Sequence, residues 1–439
     1  MEGSTPSATV LADIAAVLLI GLLLTPLRTR LRQPVVVGEI AVGVILGPSV
    51  LGLLPGHLTD ALFPPDVRPH LAVVAQLGIV LFMFAAGWEL DLRLLSGRVR
   101  AVLAVTAASV LIPFALALVL AAVVAARYPW LLGATASPWL FAAFLGIALS
   151  ASALSVMARI VGENRLQASG TGAMATACGA LTEITAWCAV VCLAAAARGP
   201  GSAGSSGSGH ALLTLGQVAC YAVAMAFVVR PLLRRMLRLP VGAGGHPFLA
   251  LLIVGSGLLL SAWVTSRLGV HAVIGAFAFG LAMPRDAAEE LRHTIELPMR
   301  HAGALLVPVF FALTGLSVDL TGLGPRGLLA VAVFLAVSWG GKYAGARLGA
   351  RLTGVPRGEA TTLAVLVNTK GLSEVLILTL GRDLGIIGDR LFTVLLLTAL
   401  AATLPVNPLV RRLTRLPGGA AGVPRRPLVA TTAEEAQGA

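Results

Sequence analysis

Apolar stretches of roughly 20 residues recur along this whole chain, and an α-helix of that length spans the hydrocarbon core of a bilayer. Transmembrane β-strands would alternate apolar and polar residues over about 10 residues, whereas the segment 101–126 is almost continuously apolar. Hydropathy predicts thirteen spans with the approximate limits 8–27, 34–52, 70–90, 99–126, 137–161, 168–197, 211–231, 246–266, 270–283, 300–318, 326–350, 358–381 and 389–411. The predicted fold class is an all-α polytopic membrane protein.

The composition supports the same prediction. Of the 439 residues, 57% are hydrophobic and 12% are charged, whereas soluble domains carry about 25% charged residues. This excludes a soluble enzyme, a nucleic-acid binder and a fibrous chain. An intramembrane hydrolase is disfavoured because neither an HExxH nor a paired-aspartate signature is present, so we expect neither an enzyme nor a bound cofactor. The four cysteines, whose spacing fits neither disulfides nor zinc, are interpreted as small buried hydrophobic residues: Cys178, Cys188, Cys192 and Cys220.

The arginines provide an independent test of the span count, because cytoplasmic loops retain Lys and Arg. With thirteen spans and the amino terminus outside, twenty-three of the thirty arginines fall on the inside and seven on the outside. A missed span would destroy this alternation. We therefore expect a multi-pass protein of a bacterial inner membrane with a cytoplasmic carboxyl terminus.

The domain organisation is simple. We predict one transmembrane domain over residues 1–417 and a disordered cytoplasmic tail over 418–439, which is rich in Pro, Gly and Ala. The segment 199–209, GPGSAGSSGSG, predicts a flexible linker that divides six spans from seven.

Charged residues inside the predicted spans are the candidate functional residues, because a charge in the bilayer is costly. Glu183 is the deepest acid; alternatively, it is a protonated carboxyl bonded to a neighbouring helix. The only lysines, Lys342 and Lys370, both lie inside spans, which indicates a need for a compact, titratable charge. The alternative is that they extend to an interface. Glu39 and Glu374 lie nearer to span ends, where a structural ion pair or cap is at least as good an interpretation as transport chemistry.

The fifth and twelfth spans are polar in the middle. The fifth contains Ser150 and Ser152 in ALSASALSV, and the twelfth contains Asn368 and Lys370 in LVNTKGLSEV. Polar spans at corresponding places in two halves indicate a transporter site built from broken helices, although serines also serve helix packing. Spans 4–6 and 11–13 are therefore interpreted as inverted repeats that form a core with two crossed discontinuous helices.

The eleventh span contains a ladder of small residues, Gly341, Gly345 and Gly349, which predicts close contact with another helix. Lys342 lies about 100° around the helix from the first of these glycines. It could therefore face a cavity while the glycines pack.

Six segments carry a resemblance to a known family. They are QPVVVGEIAVGVILGPSVLG from Gln33, LGIVLFMFAAGWELDL from Leu77, ALSASALSVMARIVGENRL from Ala148, HAVIGAFAFGLAMP from His271, PVFFALTGLSVDL from Pro308 and GEATTLAVLVNTKGLSEVLIL from Gly358. The chain resembles the monovalent cation:proton antiporters of the second cation/proton antiporter superfamily, most closely the plant-type cation/proton exchangers. The resemblance implies a sodium/hydrogen exchanger-like fold of inverted repeats, with a core domain, a dimerisation domain and an elevator-like movement of the core.

The resemblance also implies roles for particular residues. Thr182 and Glu183 occupy the positions of the family's Asn-Asp or Asp-Asp pair, so the acid is kept but lengthened by one methylene. Lys342 matches the family's buried lysine, which is thought to pair with the acid when no ion is bound.

The sequence thus predicts proton-coupled exchange of Na⁺ or K⁺, in which Glu183 binds the cation when ionised and a proton otherwise. Lys342 competes for the empty carboxylate. The predicted ion- and proton-binding residues are Glu183, Thr182, Lys342, Lys370, Asn368, Ser150 and Ser152. The expected partners are the cation, H⁺, the lipid bilayer and a second copy of the chain, with no nucleic acid. The alternatives are a transporter of an organic solute on the same fold and a non-transporting membrane sensor or assembly subunit.

Overall fold

The computed structural model describes residues 6–31, 35–47, 49, 51–53, 59, 62–89, 98–128, 133, 137–167, 169–197, 207–238, 247–268, 271–284, 292–318, 320 and 323–415. These residues are almost entirely helical. The helices are α1 (Pro6–Leu31), α2 (Val35–Leu46), α3 (Arg68–Glu89), α4 (Val99–Arg127), α5 (Pro138–Ser150), α6 (Leu154–Glu163), α7 (Gly170–Ala197), α8 (Gly207–Ala224), α9 (Arg230–Arg238), α10 (Pro247–Arg267), α11 (Ala272–Ala282), α12 (Leu297–Leu316), α13 (Gly324–Leu335), α14 (Gly341–Leu352), α15 (Arg357–Leu366), α16 (Leu372–Asp383), α17 (Asp389–Thr403) and α18 (Val406–Arg415).

Each of the thirteen predicted spans contains helix, and the predicted fold class is confirmed. Within the described residues, ten helical segments are long and apolar enough to cross a membrane. The second and ninth spans are the short helices α2 and α11, and the twelfth is divided into α15 and α16. Short π-helical turns join α8 to α9 and α13 to α14.

Two groups of helices account for most of the packing. In one group α3 packs against α11 and α12, α2 packs against α12, and α10 packs against α11. In the other group α4 packs against α14 and α5, while α7 contacts α4, α5 and α6. The second group contains the broken fifth span, α5 and α6, so it holds the candidate site.

The glycine ladder of the eleventh span makes the close contact that its sequence predicts. A Cβ atom on Gly349 would lie 2.5 Å from the Ala104 carbonyl oxygen, and one on Gly345 would overlap the Ala108 carbonyl oxygen. The backbones of α4 and α14 therefore touch. This contact holds the helix that carries Lys342 against the core.

Two predictions need correction. Of the predicted linker, residues 207–209 form the first turn of α8. The rest of the linker and the predicted tail lie outside the described residues. Only Cys178 is buried, whereas the other three cysteines are exposed. Their outward position agrees with their apolar character because lipid tails are as apolar as a protein core.

We expect Gly345→Ala to destabilise the protein, because the added methyl group forces α4 and α14 apart. Overpacking of this kind typically costs about 1–3 kcal/mol. Thermal unfolding of the protein in detergent measures the effect. The matched control is Gly340→Ala on the same span, since a Cβ atom there meets nothing within 4 Å. Equal stability of the two variants would contradict the close contact.

Candidate functional site at the crossing of two broken helices

The fifth span is interrupted between α5 and α6. Ala151 and Ala153 have extended backbone conformations, with φ and ψ of −60° and 150° and of −98° and 111°. Between them, the Ser152 hydroxyl donates to the Val367 carbonyl oxygen at 2.7 Å. This bond satisfies the Val367 carbonyl oxygen, which lies at the end of α15, and it connects the fifth span to the twelfth.

The twelfth span is interrupted between α15 and α16, directly beside the first break. The Ala153 amide donates to the Thr369 carbonyl oxygen at 3.0 Å, so the two non-helical segments cross. Thr403 of α17 supports the second break, because its hydroxyl oxygen accepts the Lys370 amide at 3.0 Å. The predicted pair of crossed discontinuous helices is confirmed.

Glu183 lies on α7 with its carboxylate at this crossing, and it is only 3% exposed. One carboxylate oxygen accepts the Leu154 amide at 3.0 Å, and the other is hydrogen-bonded to the Ser373 hydroxyl. Leu154 and Ser373 lie in the first turns of α6 and α16. The positive ends of two half helices therefore surround the acid, which favours a negative charge there. Thr182, the preceding residue, is also buried.

Lys342 binds the opposite end of the first break. Its ammonium donates to the carbonyl oxygens of Ser150 and Ala151 at 2.6 and 2.8 Å and to the Ser152 hydroxyl oxygen at 2.5 Å. The side chain is fully buried, so it does not extend to an interface. The negative end of α5 stabilises the positive charge.

Lys370 binds the same helix end two residues earlier. Its ammonium lies 2.7 Å from the Glu374 carboxylate and donates to the carbonyl oxygens of Ala148 and Leu149 at 3.2 and 3.4 Å. Both side chains of this ion pair are buried, so Lys370 does not extend to an interface either. Glu374 forms a buried ion pair with Lys370.

The structure therefore places Glu183 at one end of the first break and the two lysines, Lys342 and Lys370, at the other end. Lys342 is not within ion-pair distance of Glu183, and its hydrogen bonds go to α5 and Ser152. The Ser150 hydroxyl donates to Ile147 of its own helix. Asn368 donates to the Ala364 carbonyl oxygen, and its buried amide oxygen has no partner among the described residues.

Some predictions concern side chains that the structure does not describe, and some contacts were not predicted. Glu39 lies on α2, but its side chain is outside the described part of the chain. Sequence reasoning missed Ser373 and Thr403, and also Ser338, which donates to the Leu149 carbonyl oxygen at 2.8 Å. Ser373 had a detectable signal, because it lies in the polar run of the twelfth span, next to Glu374 and three residues after Lys370.

Two crossed broken helices with a buried carboxylate at the crossing are the arrangement found in the substrate sites of secondary transporters. A sequence profile of the transmembrane sodium/hydrogen exchanger family matches residues 14–412. The chain therefore belongs to the sodium/hydrogen exchanger family.

Individual relatives agree with this assignment. The chain is 32% identical over 414 residues to the Na⁺/H⁺ antiporter NhaS4 of Synechocystis. This match covers 93% of this chain and 98% of the relative. It is 32% identical to cation/H⁺ antiporter 20 of Arabidopsis thaliana and 30% identical to K⁺/H⁺ antiporter 1 of Saccharomyces cerevisiae, over 91% and 93% of this chain. It spans about half the length of these two larger relatives, 48% and 47%.

A solved structure has the same fold. The sodium proton antiporter MjNhaP1 from Methanocaldococcus jannaschii matches with a TM-score of 0.62 at 15% sequence identity. The match covers 93% of this chain and 95% of that protein. At this identity the likeness concerns the fold alone.

We expect Glu374→Gln to destabilise the protein strongly, because it leaves the buried Lys370 ammonium without its counter-charge. Breaking a buried pair in this way typically costs about 3–5 kcal/mol. Replacing both residues, with Lys370→Met added, should recover part of the loss. Thermal unfolding in detergent measures all three proteins.

The control for this experiment is Glu359→Gln, which breaks the exposed ion pair with Arg98 at 3.0 Å. An exposed pair typically contributes about 0–1 kcal/mol, so this variant should unfold near the wild-type temperature. If Glu374→Gln unfolds at that temperature too, the Lys370–Glu374 pair is not structural.

Proposed function

We propose that this protein exchanges a monovalent cation, Na⁺ or K⁺, for protons across the membrane. The single observation that carries this function is the buried Glu183 carboxylate at the crossing of the broken helices. When ionised, the carboxylate attracts a dehydrated cation, and when protonated it has no charge to hold one. The two ligands therefore exclude one another, which is the requirement for antiport.

The surroundings of Glu183 support this role. The Leu154 amide and the Ser373 hydroxyl satisfy the carboxylate when no cation is bound. The Ser373 oxygen also has lone pairs, so rotation of its hydroxyl would turn a hydrogen-bond donor into a cation ligand. Asn368 offers a second neutral oxygen, because its buried amide oxygen has no partner among the described residues.

The choice between Na⁺ and K⁺ stays open in this proposal. Relatives with similar identity to this chain are named for Na⁺/H⁺, K⁺/H⁺ and cation/H⁺ exchange. A transporter of an organic solute is the second candidate. It rests on the buried polar groups of both breaks, which would then bind the solute while Glu183 provides the coupling to protons.

Several finer features belong to the same proposal. Spans 4–6 and 11–13 form inverted repeats, and the core they build moves as an elevator against the other helices. The amino terminus lies outside and the carboxyl terminus lies in the cytoplasm of a bacterium, as the arginine distribution indicates. Two copies of the chain form the working unit.

The direct test is dequenching of a pH-sensitive dye in proteoliposomes after addition of Na⁺, K⁺ or neither. We expect Glu183→Gln to abolish cation-dependent proton flux, because an amide neither releases a proton nor attracts a cation. Glu183→Asp should retain partial activity. The Gln variant must remain folded and membrane-inserted, which size-exclusion profiles and thermal unfolding verify.

Undiminished exchange in folded Glu183→Gln would rule out this residue as the carrier. The absence of any response to Na⁺ or K⁺ in the wild type would favour the organic-solute candidate. A transporter of an organic solute should produce proton flux when a mixture of solutes is added in place of Na⁺ or K⁺.

We further expect one-for-one, electroneutral exchange, because Thr182 replaces one acid of the pair found in Asp-Asp relatives and leaves Glu183 as the only acid there. Transport is measured at fixed ion gradients while a membrane potential is imposed. A charge that crosses the membrane would change the driving force by about 2.3 kcal/mol per 100 mV. A rate or end point that follows the voltage would contradict electroneutrality and indicate that Lys342 carries a second proton.

A further inference from the structure

The ammonium of Lys342 has a complete set of hydrogen-bond acceptors without Glu183. An ammonium has three N–H donors, and the three oxygens of Ser150, Ala151 and Ser152 lie at 2.5–2.8 Å from it. This side chain makes no further hydrogen bond or ion pair with the described residues. Lys342 must therefore break a full set of bonds before it can reach another partner.

Ser152 is the one side chain in this set, and its hydroxyl is oriented by a second contact. The hydroxyl carries a single proton, which it donates to the Val367 carbonyl oxygen at 2.7 Å. A lone pair of the oxygen is consequently available to Lys342. The contact with the twelfth span thus holds Ser152 as an acceptor for the ammonium.

We propose that the carbonyl oxygens of Ser150 and Ala151 and the hydroxyl oxygen of Ser152 form a resting site for Lys342. Lys342 occupies the resting site when a cation is bound to Glu183 and leaves it to compete for the empty carboxylate. Ser152 is then a positioning residue that acts on the cation through Lys342. This proposal rests on the proposed cation/proton exchange.

The strength of the resting site sets the apparent cation affinity. If the cation binds Glu183 only while Lys342 is in the resting site, the apparent Kd equals the intrinsic Kd divided by the fraction of protein in that state. Weakening the resting site lowers this fraction and raises the apparent Kd. In a protein without Lys342 the resting site is never occupied, so replacing Ser152 should no longer change the apparent Kd.

A double-mutant cycle between Ser152 and Lys342 tests the proposal. Apparent KM for Na⁺ and K⁺ and the maximal rate are measured in proteoliposomes for the wild type, Ser152→Ala, Lys342→Gln and the double variant. Ser152→Ala should raise KM by about threefold to tenfold. This is less than the change in KM that complete loss of a hydrogen bond to a charged group could produce. In the Lys342→Gln background the same change should leave KM within about twofold.

The matched control is Ser150→Ala with and without Lys342→Gln. It removes a neighbouring hydroxyl that donates to Ile147, while the Ser150 carbonyl oxygen that binds Lys342 remains. Its effect on KM should be the same in both backgrounds. If Ser152→Ala does not fold, Ser152→Cys provides the same test, because sulfur is a weak acceptor of similar size.

The outcomes separate the alternatives. An equal rise of KM in both backgrounds overturns the resting site and makes Ser152 a direct cation ligand. A loss of maximal rate in both backgrounds with unchanged KM overturns it in favour of a structural role. If the wild type shows no cation-dependent proton flux, the proposed function is overturned, and the resting site with it.

Discussion

The structure depends on satisfying the backbone carbonyl oxygens at the end of α5 with hydrogen-bond donors. A helix that ends inside a membrane domain leaves its last four carbonyl oxygens without intrahelical partners and, in hydrocarbon, without water. Here Lys342, Lys370 and Ser338 supply the missing donors. The break in the fifth span is tolerable because two buried ammonium groups lie at its negative end. Those ammonium groups in turn require the carboxylates that surround the crossing.

This requirement gives a physical reason for coupling. Among the residues that the structure describes, the buried charged groups near the crossing are two ammoniums and two carboxylates, Lys342, Lys370, Glu183 and Glu374, so their formal charges cancel when all are ionised. A cation that entered while Glu183 stayed protonated would add a second uncompensated positive charge, and burying such a charge costs several kcal/mol. Release of the Glu183 proton as the cation enters leaves the net charge of the site unchanged. Cation uptake and proton release are thus linked by the low dielectric of the site, in keeping with the proposed exchange.

Much of the fold could be predicted from the sequence, because hydropathy and the arginine alternation respond to the bilayer rather than to tertiary detail. The polar residues of the fifth and twelfth spans also located both breaks. The hydrogen-bond partners could not be predicted in the same way. The resemblance pairs Lys342 with an acid, whereas its ammonium bonds to the Ser152 hydroxyl oxygen and to two main-chain oxygens, which every sequence provides. Ser373 contacts Glu183 across 190 positions of the chain, a pairing that only the crossing of the spans creates.

The two ends of the break also explain how events at Glu183 can reach Lys342, although the two side chains do not touch. Glu183 holds α6 through the Leu154 amide and α16 through Ser373, while Lys342 holds the end of α5 and Ser152. Only Ala151, Ser152 and Ala153 separate α5 from α6. In the proposed exchange, displacement of the Leu154 amide by a cation would change the first turn of α6, and only Ala153 lies between that turn and Ser152. The three residues between α5 and α6 therefore connect the proposed cation site to the oxygens that bind Lys342.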